Sequence, residues 1–189
     1  TVEEIDRIIS AVDMDKKEGQ RNRAILETLY SCGLRVSELC NLKLSDLYFE
    51  EGFIKVEGKG SKQRLVPISP RAIKEIKYWL TDRNLGKIKK GYEDYVFLAR
   101  WGNNISRIMV FHMIKELAEK TGITKNISPH TFRHSFATHL LEGGANLRAI
   151  QCMLGHESIA TTEIYTHIDR NMLRSEIIEH HPRNIKYRK

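Results

Sequence analysis

Residues 128–144, SPHTFRHSFATHLLEGG, place one arginine and three histidines in a segment that otherwise has the pattern of an amphipathic helix. His130 and Arg133 stand three residues apart just after Pro129, so both lie on one face near the start of that helix. There they meet free backbone N–H groups, which favour anions. The pattern predicts an anion site, with a phosphate as the natural ligand.

A metal site is the alternative interpretation of the same helix. His130 and His134 are four residues apart and also share a face, as in zinc sites of the HExxH type. The glutamate of that motif is absent, and no third ligand is evident. We therefore expect no metal, and we assign His134 and His139 to packing or to the surface.

Further cations stand at two predicted turns. Arg35 follows a Gly-Leu turn, where it could simply pair with Glu38 one helical turn later. Lys59 lies between two glycines at the tip of a predicted hairpin, which is a common place for a solvated lysine. The same loop holds Lys62 and Arg64, and its glycines allow the backbone to approach a ligand closely.

The segment LGHESIATTEIYTH adds an imidazole and a phenol. A lone tyrosine in an apolar setting is usually part of the core. The combination of groups changes that interpretation, because cations, imidazoles and a phenol at the boundaries of elements suit phosphoryl transfer, in which charge spreads over non-bridging oxygens. The set is Arg35, Lys59, His130, Arg133, His156 and Tyr165.

Five segments, GLRVSEL, GKGSKQRLVPI, HTFRHSFATHLL, LGHESIATTEIYTH and HHPR, resemble in this order the motifs of tyrosine site-specific recombinases of the phage-integrase family, closest to the Xer type. The resemblance runs from about residue 33 to residue 183. It implies that Tyr165 is the nucleophile and that Arg35 and Arg133 clamp the phosphate. It also assigns Lys59 as the hairpin lysine, His130 and His156 as the two histidine-position residues, and Glu38 as a supporting acid.

The implied reaction is a DNA transesterification through a 3′-phosphotyrosyl link. In that scheme His130 is the general base, His156 a hydrogen-bond donor, and Lys59 the acid for the departing 5′-oxygen, while Lys62 and Arg64 contact DNA. Because the covalent intermediate keeps the phosphodiester energy, neither ATP nor a metal is implied as a cofactor. The implied partners are double-stranded DNA and other recombinase subunits, as a tetramer on paired sites.

Two rival functions remain open. A type IB topoisomerase shares this chemistry but needs no partner duplex, and the Xer-like wording of the last two motifs argues against it. A non-catalytic DNA-binding protein would explain the net charge of +7, but it would not need Tyr165 with five helper groups.

The elements that must position these groups are mostly helical. Capping and periodicity predict a mostly α fold with a small antiparallel β-sheet (α+β), in keeping with the catalytic-domain fold of tyrosine recombinases. The predicted helices open at Thr1 and at Ser69-Pro70 and cover about 20–32, 36–42, 106–120, 129–142, 146–154, 158–165 and 169–180. Residues 53–57 and 64–68 predict a hairpin, 95–99 a further strand and 84–94 a loop.

The whole chain, 1–189, is predicted to be one catalytic domain, and the resemblance implies an N-terminal core-binding domain that is missing here. Its tail, 169–189, has an apolar stripe that includes Leu173 and Ile177. This stripe either folds back as core or docks on a neighbouring subunit, and we favour docking in trans. Three cysteines without a CxxC pair indicate a reducing, cytoplasmic setting. No apolar run approaches the roughly 20 residues of a membrane span.

Overall fold

The computed structural model describes residues 1–155 and 167–185, and its secondary structure is mainly helical. The helices are α1 Val2–Ser10, α2 Gly19–Cys32, α3 Val36–Cys40, α4 Pro70–Leu85, α5 Arg107–Lys120, α6 Pro129–Glu142, α7 Leu147–Leu154, α8 His167–His180 and α9 Pro182–Ile185. Short 3₁₀ turns cover Leu44–Asp46 and Lys59–Ser61. The prediction of a mostly α fold is confirmed, whereas the helix expected over 158–165 lies outside the described residues.

Local capping explains where several helices begin. The hydroxyl of Thr1 accepts a hydrogen bond from the backbone N–H of Glu4, whose carboxylate reaches back to the start of the chain, so α1 has a complete capping box. The side chains of Ser69 and Ser106 accept hydrogen bonds from backbone N–H groups at the start of α4 and α5, without the reciprocal bond of a capping box, and Pro70 occupies the first turn of α4. These starts are the ones that the sequence predicts.

The sheet is small and antiparallel. It contains β1 Leu47–Tyr48, β2 Phe53–Glu57 and β3 Gln63–Pro67 in the order β1-β2-β3, and β2 pairs with β3 from Phe53↔Pro67 to Glu57↔Gln63. The hairpin is therefore confirmed. The sequence does not predict β1, since two residues are too short to show an alternating pattern.

The strand expected over residues 95–99 is not present. This segment makes only isolated bridges, Lys43↔Tyr95 and Leu98↔Asn104. Its apolar run reflects burial instead, because Val96, Phe97 and Leu98 are all core residues. The prediction was wrong because a short apolar run alone does not separate a strand from a buried irregular segment.

Two apolar clusters form the core. The larger one surrounds α2, which packs along α4, and it extends to α1, α5 and the sheet. The smaller one joins α6, α7 and α8 and includes Leu173 and Ile177, which are 1% and 2% exposed. In the described structure, the apolar stripe of α8 thus packs against its own domain, and docking in trans remains a prediction. Within the described residues, no helix has the length and apolar character that crossing a membrane requires.

Candidate active site

A single buried carboxylate, that of Glu38 on α3, gathers three arginines. Arg64 donates to both of its oxygens at 2.5 and 3.0 Å. The guanidinium of Arg35 lies 3.7 Å from the carboxylate, and its backbone N–H donates to Glu38 at 2.8 Å. Arg133 approaches from α6 at 3.9 Å. The sequence-predicted residues Arg35, Glu38 and Arg133 therefore lie together.

The charges of this cluster do not balance. Burial alone would raise the pKa of Glu38, but the hydrogen bonds and charge of Arg64, the backbone N–H of Arg35 and the charge of Arg133 together lower it below its ordinary value. The group is thus one carboxylate among three guanidiniums. Such a cluster has positive charge left over for an anion, and planar guanidiniums suit the oxygens of a phosphodiester.

Arg133 is held in a fixed position by two backbone carbonyls. Its Nη1 donates to the oxygen of Gly33 and its Nη2 to the oxygen of Leu154, both at 2.7 Å. The side chain is only 13% exposed. Burial, assisted by the positive charge of Arg35, lowers its pKa to about 10, so it still carries its charge at neutral pH. The hydrogen bonds tie the start of α6 to the ends of α2 and α7.

Gly33 is required at the end of α2 for two reasons. Its φ of 64° is left-handed, and a Cβ built there would lie 2.4 Å from the ring of Phe136. The close approach of the turn to α6 leaves the carbonyl of Gly33 within reach of Arg133. The same turn leads directly into Arg35, so one glycine helps to place both arginines.

Lys59 lies at the tip of the hairpin, and the base of this tip is next to the arginine cluster. This base is closed by a hydrogen bond from the N–H of Gly58 to the oxygen of Lys62 at 2.7 Å. A Cβ on Gly58 would stand 3.3 Å from both Arg64 Nη1 and Glu38 Oε2, so the base of the tip lies against the cluster. Lys59 and Lys62 themselves are exposed.

Arg64 is buried, which the sequence does not predict. The sequence predicts a DNA contact for Arg64 beside the hairpin loop, but Arg64 is only 8% exposed at the start of β3. Besides its two bonds to Glu38, it donates from Nε to the oxygen of Met153 at 2.9 Å. Its guanidinium thus fastens the end of α7 to α3. Strand alternation carries the signal that was missed, because Arg64 shares its buried face with Val66.

The histidines of α6 have three different settings. His130 is exposed in the first turn, with its ring 6.5 Å from that of Phe111 on α5. His134 is exposed as well, whereas His139 is buried and bonds to the hydroxyl of Tyr30 at 2.8 Å. Both positions agree with the joint expectation of packing or surface: His134 is at the surface and His139 is packed in the interior. Among the described residues, no group of three or more His, Cys, Asp or Glu side chains is arranged to hold a metal ion.

Two predicted catalytic residues, His156 and Tyr165, lie outside the described residues. The described chain reaches Gly155, whose φ is 72°. A Cβ there would meet the Arg64 side chain at 3.1 Å. The chain thus arrives next to the arginine cluster one residue before His156.

The profile of the phage integrase family matches residues 1–172 of the chain. Two curated relatives are tyrosine recombinases XerD. The one from Halalkalibacterium halodurans is 43% identical over 183 residues, which are 97% of this chain and 61% of the relative. The one from Chlorobaculum tepidum is 50% identical over 163 residues, or 86% of this chain and 54% of the relative.

The chain is also similar to solved structures of recombinases. XerA recombinase is 36% identical with a TM-score of 0.75, and the match covers 96% of this chain and 64% of that one. XerH site-specific recombinase bound to its difH substrate is 30% identical with a TM-score of 0.73, covering 93% and 52%. The chain spans between half and two thirds of the length of these relatives.

Proposed function

The chain belongs to the phage integrase family, and from that premise we propose that its protein is a site-specific recombinase that cleaves and rejoins DNA through a 3′-phosphotyrosyl intermediate. The observation that carries the proposal is the buried Glu38, whose carboxylate lies within 4 Å of both Arg35 and Arg133 in a cluster with an excess of positive charge. A phosphodiester is an anion whose two non-bridging oxygens suit two guanidiniums.

In the proposed cleavage step, the hydroxyl of Tyr165 attacks a backbone phosphorus. The bond from the tyrosine oxygen to phosphorus forms as the bond from phosphorus to the 5′-oxygen breaks. A free tyrosine has a pKa of about 10, so it needs a base as it attacks. His130 takes that proton, and Lys59 gives one to the departing 5′-oxygen.

The remaining groups stabilise charge. Arg35 and Arg133 donate to the non-bridging oxygens, where charge is greatest in the transition state, and His156 adds a third donor. Arg133 is well suited to this because its carbonyl partners fix its orientation in advance. The released 5′-hydroxyl of a partner strand then attacks the phosphorus of the phosphotyrosyl link. A new phosphodiester bond forms as the bond from phosphorus to the Tyr165 oxygen breaks. Since the link conserves the phosphodiester energy, the cycle consumes no ATP.

The proposed partners are double-stranded DNA and further copies of the recombinase. Among the structural relatives, XerH is bound to a difH substrate and a Tn1549 integrase to circular-intermediate DNA. We propose a tetramer on paired sites, acting in DNA integration and excision or in the resolution of chromosome or plasmid dimers. We propose a cytoplasmic location, because the buried thiols of Cys32 and Cys40 are free, as is usual in a reducing compartment.

We further propose that the tail segment passes between subunits in that assembly. Leu173 and Ile177 pack on α6 and α7 of their own chain. A neighbouring copy carries the same surface, so exchanging the helix replaces one set of contacts by an identical set. Such an exchange would couple the active sites around the ring.

The test uses the full-length protein and a suicide substrate, which is DNA from its own genetic neighbourhood nicked beside the cleavage site. We expect a covalent protein–DNA adduct with the wild type and none with Tyr165→Phe, which should still bind the DNA because only a hydroxyl is removed. An adduct that persists in Tyr165→Phe would assign the reaction to another nucleophile. Relaxation of a supercoiled plasmid without any paired site would instead favour a topoisomerase.

A further inference from the structure

A second concave site lies at the opposite end of α2 from the arginine cluster. It is a cleft of about 840 Å³ between the start of α2, the end of α4 and residues 98–100. Helix α2 has 14 residues, so at about 1.5 Å per residue its two ends are roughly 20 Å apart. Bonds from Gln20 to Glu75 and from Ser69 to Ser31 show that α4 runs antiparallel to α2. The cleft is therefore separate from the arginine cluster.

The charged side chains around this cleft are mainly cationic. The proposed reaction uses none of them. Only two carboxylates, those of Glu18 and Asp82, line it within the part of the chain that the structure describes. The cations that line it are Lys16, Lys17, Arg21, Arg83, Lys87 and Arg100.

Two of these cations are fixed in the wall. Arg21 and Arg83 are 8% and 4% exposed. Arg21 donates to the backbone oxygen of Leu98 at 3.2 Å, and Arg83 to that of Tyr95 at 3.0 Å. These partners are neutral carbonyls, which satisfy N–H groups without neutralising the charge. Both guanidiniums hence remain buried positive charges at fixed positions.

The acidic groups near these two arginines do not cancel their charge. Burial lowers the pKa of both below the ordinary value, and the opposing charges, Glu18 near Arg21 and Asp94 near Arg83, do not reverse this. In the described ranges 1–155 and 167–185, neither guanidinium forms an ion pair with a carboxylate. A buried charge without a counter-charge is costly, so an anionic ligand in the cleft would offset part of that cost.

The floor and rim of the cleft also offer apolar surface. Trp79, Leu98 and Met109 line it, together with Leu85, which is 84% exposed. Trp79 and Leu98 are 8% and 3% exposed and form the floor, whereas Leu85 and Met109 are exposed. Large exposed apolar side chains beside a cleft, such as these two, are typical of interaction sites.

An exposed tryptophan stands next to the rim. Trp101 is 65% exposed, and its ring centroid lies 5.9 Å from the Lys87 ammonium and 5.1 Å from the Arg100 guanidinium. Aromatic residues and arginine are the side chains most enriched at the centres of protein–protein contacts. The rim therefore combines an aromatic anchor with two cations.

We propose that this cleft binds an acidic peptide segment of a partner protein, with an apolar side chain in the recess and carboxylates at the rim. The charge of the lining is complementary to such a peptide, and the apolar floor is complementary to its anchor. Duplex DNA fits less well, because a phosphate backbone gains its affinity from cations alone and leaves an apolar recess unused.

The test is a fluorescence-anisotropy titration of the 189-residue chain with a labelled peptide, SEDELFEDES. Two control peptides separate the contribution of the peptide's acidic side chains from that of its apolar Leu-Phe pair. SQNQLFQNQS lacks the acidic side chains, and SEDESSEDES lacks the apolar pair. The protein variant is Lys87→Glu/Arg100→Glu, which reverses two rim charges. Its matched control, Lys74→Glu/Lys77→Glu, makes the same change of charge on an exposed face of α4. Circular dichroism checks that both variants are folded.

We expect the wild-type chain to bind SEDELFEDES saturably and each control peptide at least tenfold more weakly. The rim variant Lys87→Glu/Arg100→Glu should bind SEDELFEDES about tenfold more weakly than the wild type. The control variant Lys74→Glu/Lys77→Glu should change this affinity less than twofold. The chain's two tryptophans, Trp79 and Trp101, should change their intrinsic emission on binding. No saturable binding, or equal losses in the two charge variants, would overturn the proposal. A 20-base-pair duplex that displaces the peptide and is itself bound tenfold less tightly by the rim variant would assign the cleft to DNA instead.

Discussion

Arg64 donates to both carboxylate oxygens of Glu38 in the interior of the domain, and the two N···O distances are 2.5 and 3.0 Å. This pair connects β3 to α3, and the bond from Arg64 to Met153 extends the connection to α7. Arg35 and Arg133 take their places around the same carboxylate. The predicted phosphate clamp thus depends on a residue that is itself hidden from the ligand.

The first prediction is that Glu38→Gln destabilises the domain strongly. The amide keeps the shape of the side chain but leaves a buried guanidinium without its counter-charge, a loss of about 3–5 kcal/mol for a broken buried pair. Chemical denaturation measures the free energy of unfolding. Glu50→Gln, which removes an exposed carboxylate, serves as the control and should change it by less than about 0.5 kcal/mol. A similar small effect for Glu38→Gln would show that the pair contributes little.

The pH dependence of the same pair follows from the lowered pKa of Glu38. A carboxyl whose pKa is lower in the folded than in the unfolded chain contributes stability above the unfolded value, about 4.3, and loses it as the pH falls through the folded value. The difference in unfolding free energy between wild type and Glu38→Gln should therefore be constant near neutrality and shrink below about pH 4.3. A difference that grows on acidification would contradict this assignment.

The second prediction compares two glycines that share a left-handed backbone. Gly33→Ala should be much more destabilising than Gly60→Ala, because a Cβ at Gly33 meets the Phe136 ring whereas no atom lies within 4 Å of one at Gly60. Both variants pay the left-handed penalty of about 1–2 kcal/mol, so the excess for Gly33 measures the overlap. Thermal unfolding of the two variants supplies the comparison, and equal melting temperatures would mean that α6 moves aside freely.

These examples show which parts of the molecule can be predicted from sequence. The caps at Thr1, Ser69 and Ser106 were predictable because the interacting groups are within a few residues of one another. The role of Arg64 was not, since its partners are 26 and 89 residues away along the chain. The prediction of a strand at residues 95–99 was wrong for a related reason. Their apolar character reflects tertiary burial, which local sequence patterns do not specify.

The third prediction concerns the tail helix. Leu173→Ala should lower the unfolding free energy of the protein without DNA by about 2–5 kcal/mol, the usual cost of truncating a buried leucine. The neighbouring Met172→Ala is the control, because Met172 is 48% exposed while Leu173 is 1% exposed. If Leu173→Ala leaves stability unchanged but abolishes cooperative assembly on paired DNA sites, the stripe functions only in trans. If Leu173→Ala lowers stability and also abolishes cooperative assembly, the tail helix packs on its own chain before assembly and is exchanged between subunits during it.

The fourth prediction tests Lys59 as the acid for the departing 5′-oxygen. An alkoxide is a poor leaving group, so Lys59→Ala should cleave ordinary DNA about 10²–10⁴-fold more slowly. Its exposed position makes an effect on folding small, and the base of its loop lies against Glu38 and Arg64. Slow cleavage alone would also follow if Lys59 merely bound the phosphate, and a change in the substrate separates the two roles.

Replacing the bridging 5′-oxygen with sulfur provides that separation. A thiol is far more acidic than an alcohol, so the thiolate departs without a proton. Cleavage by Lys59→Ala should therefore recover on the sulfur substrate if Lys59 is the acid, as measured by adduct formation in single-turnover assays. Arg133→Ala, which removes a clamp on the non-bridging oxygens, should remain slow on both substrates and serves as the control. Equal defects of Lys59→Ala on oxygen and sulfur would assign Lys59 to phosphate binding, and the proton would then have to come from another group near the hairpin.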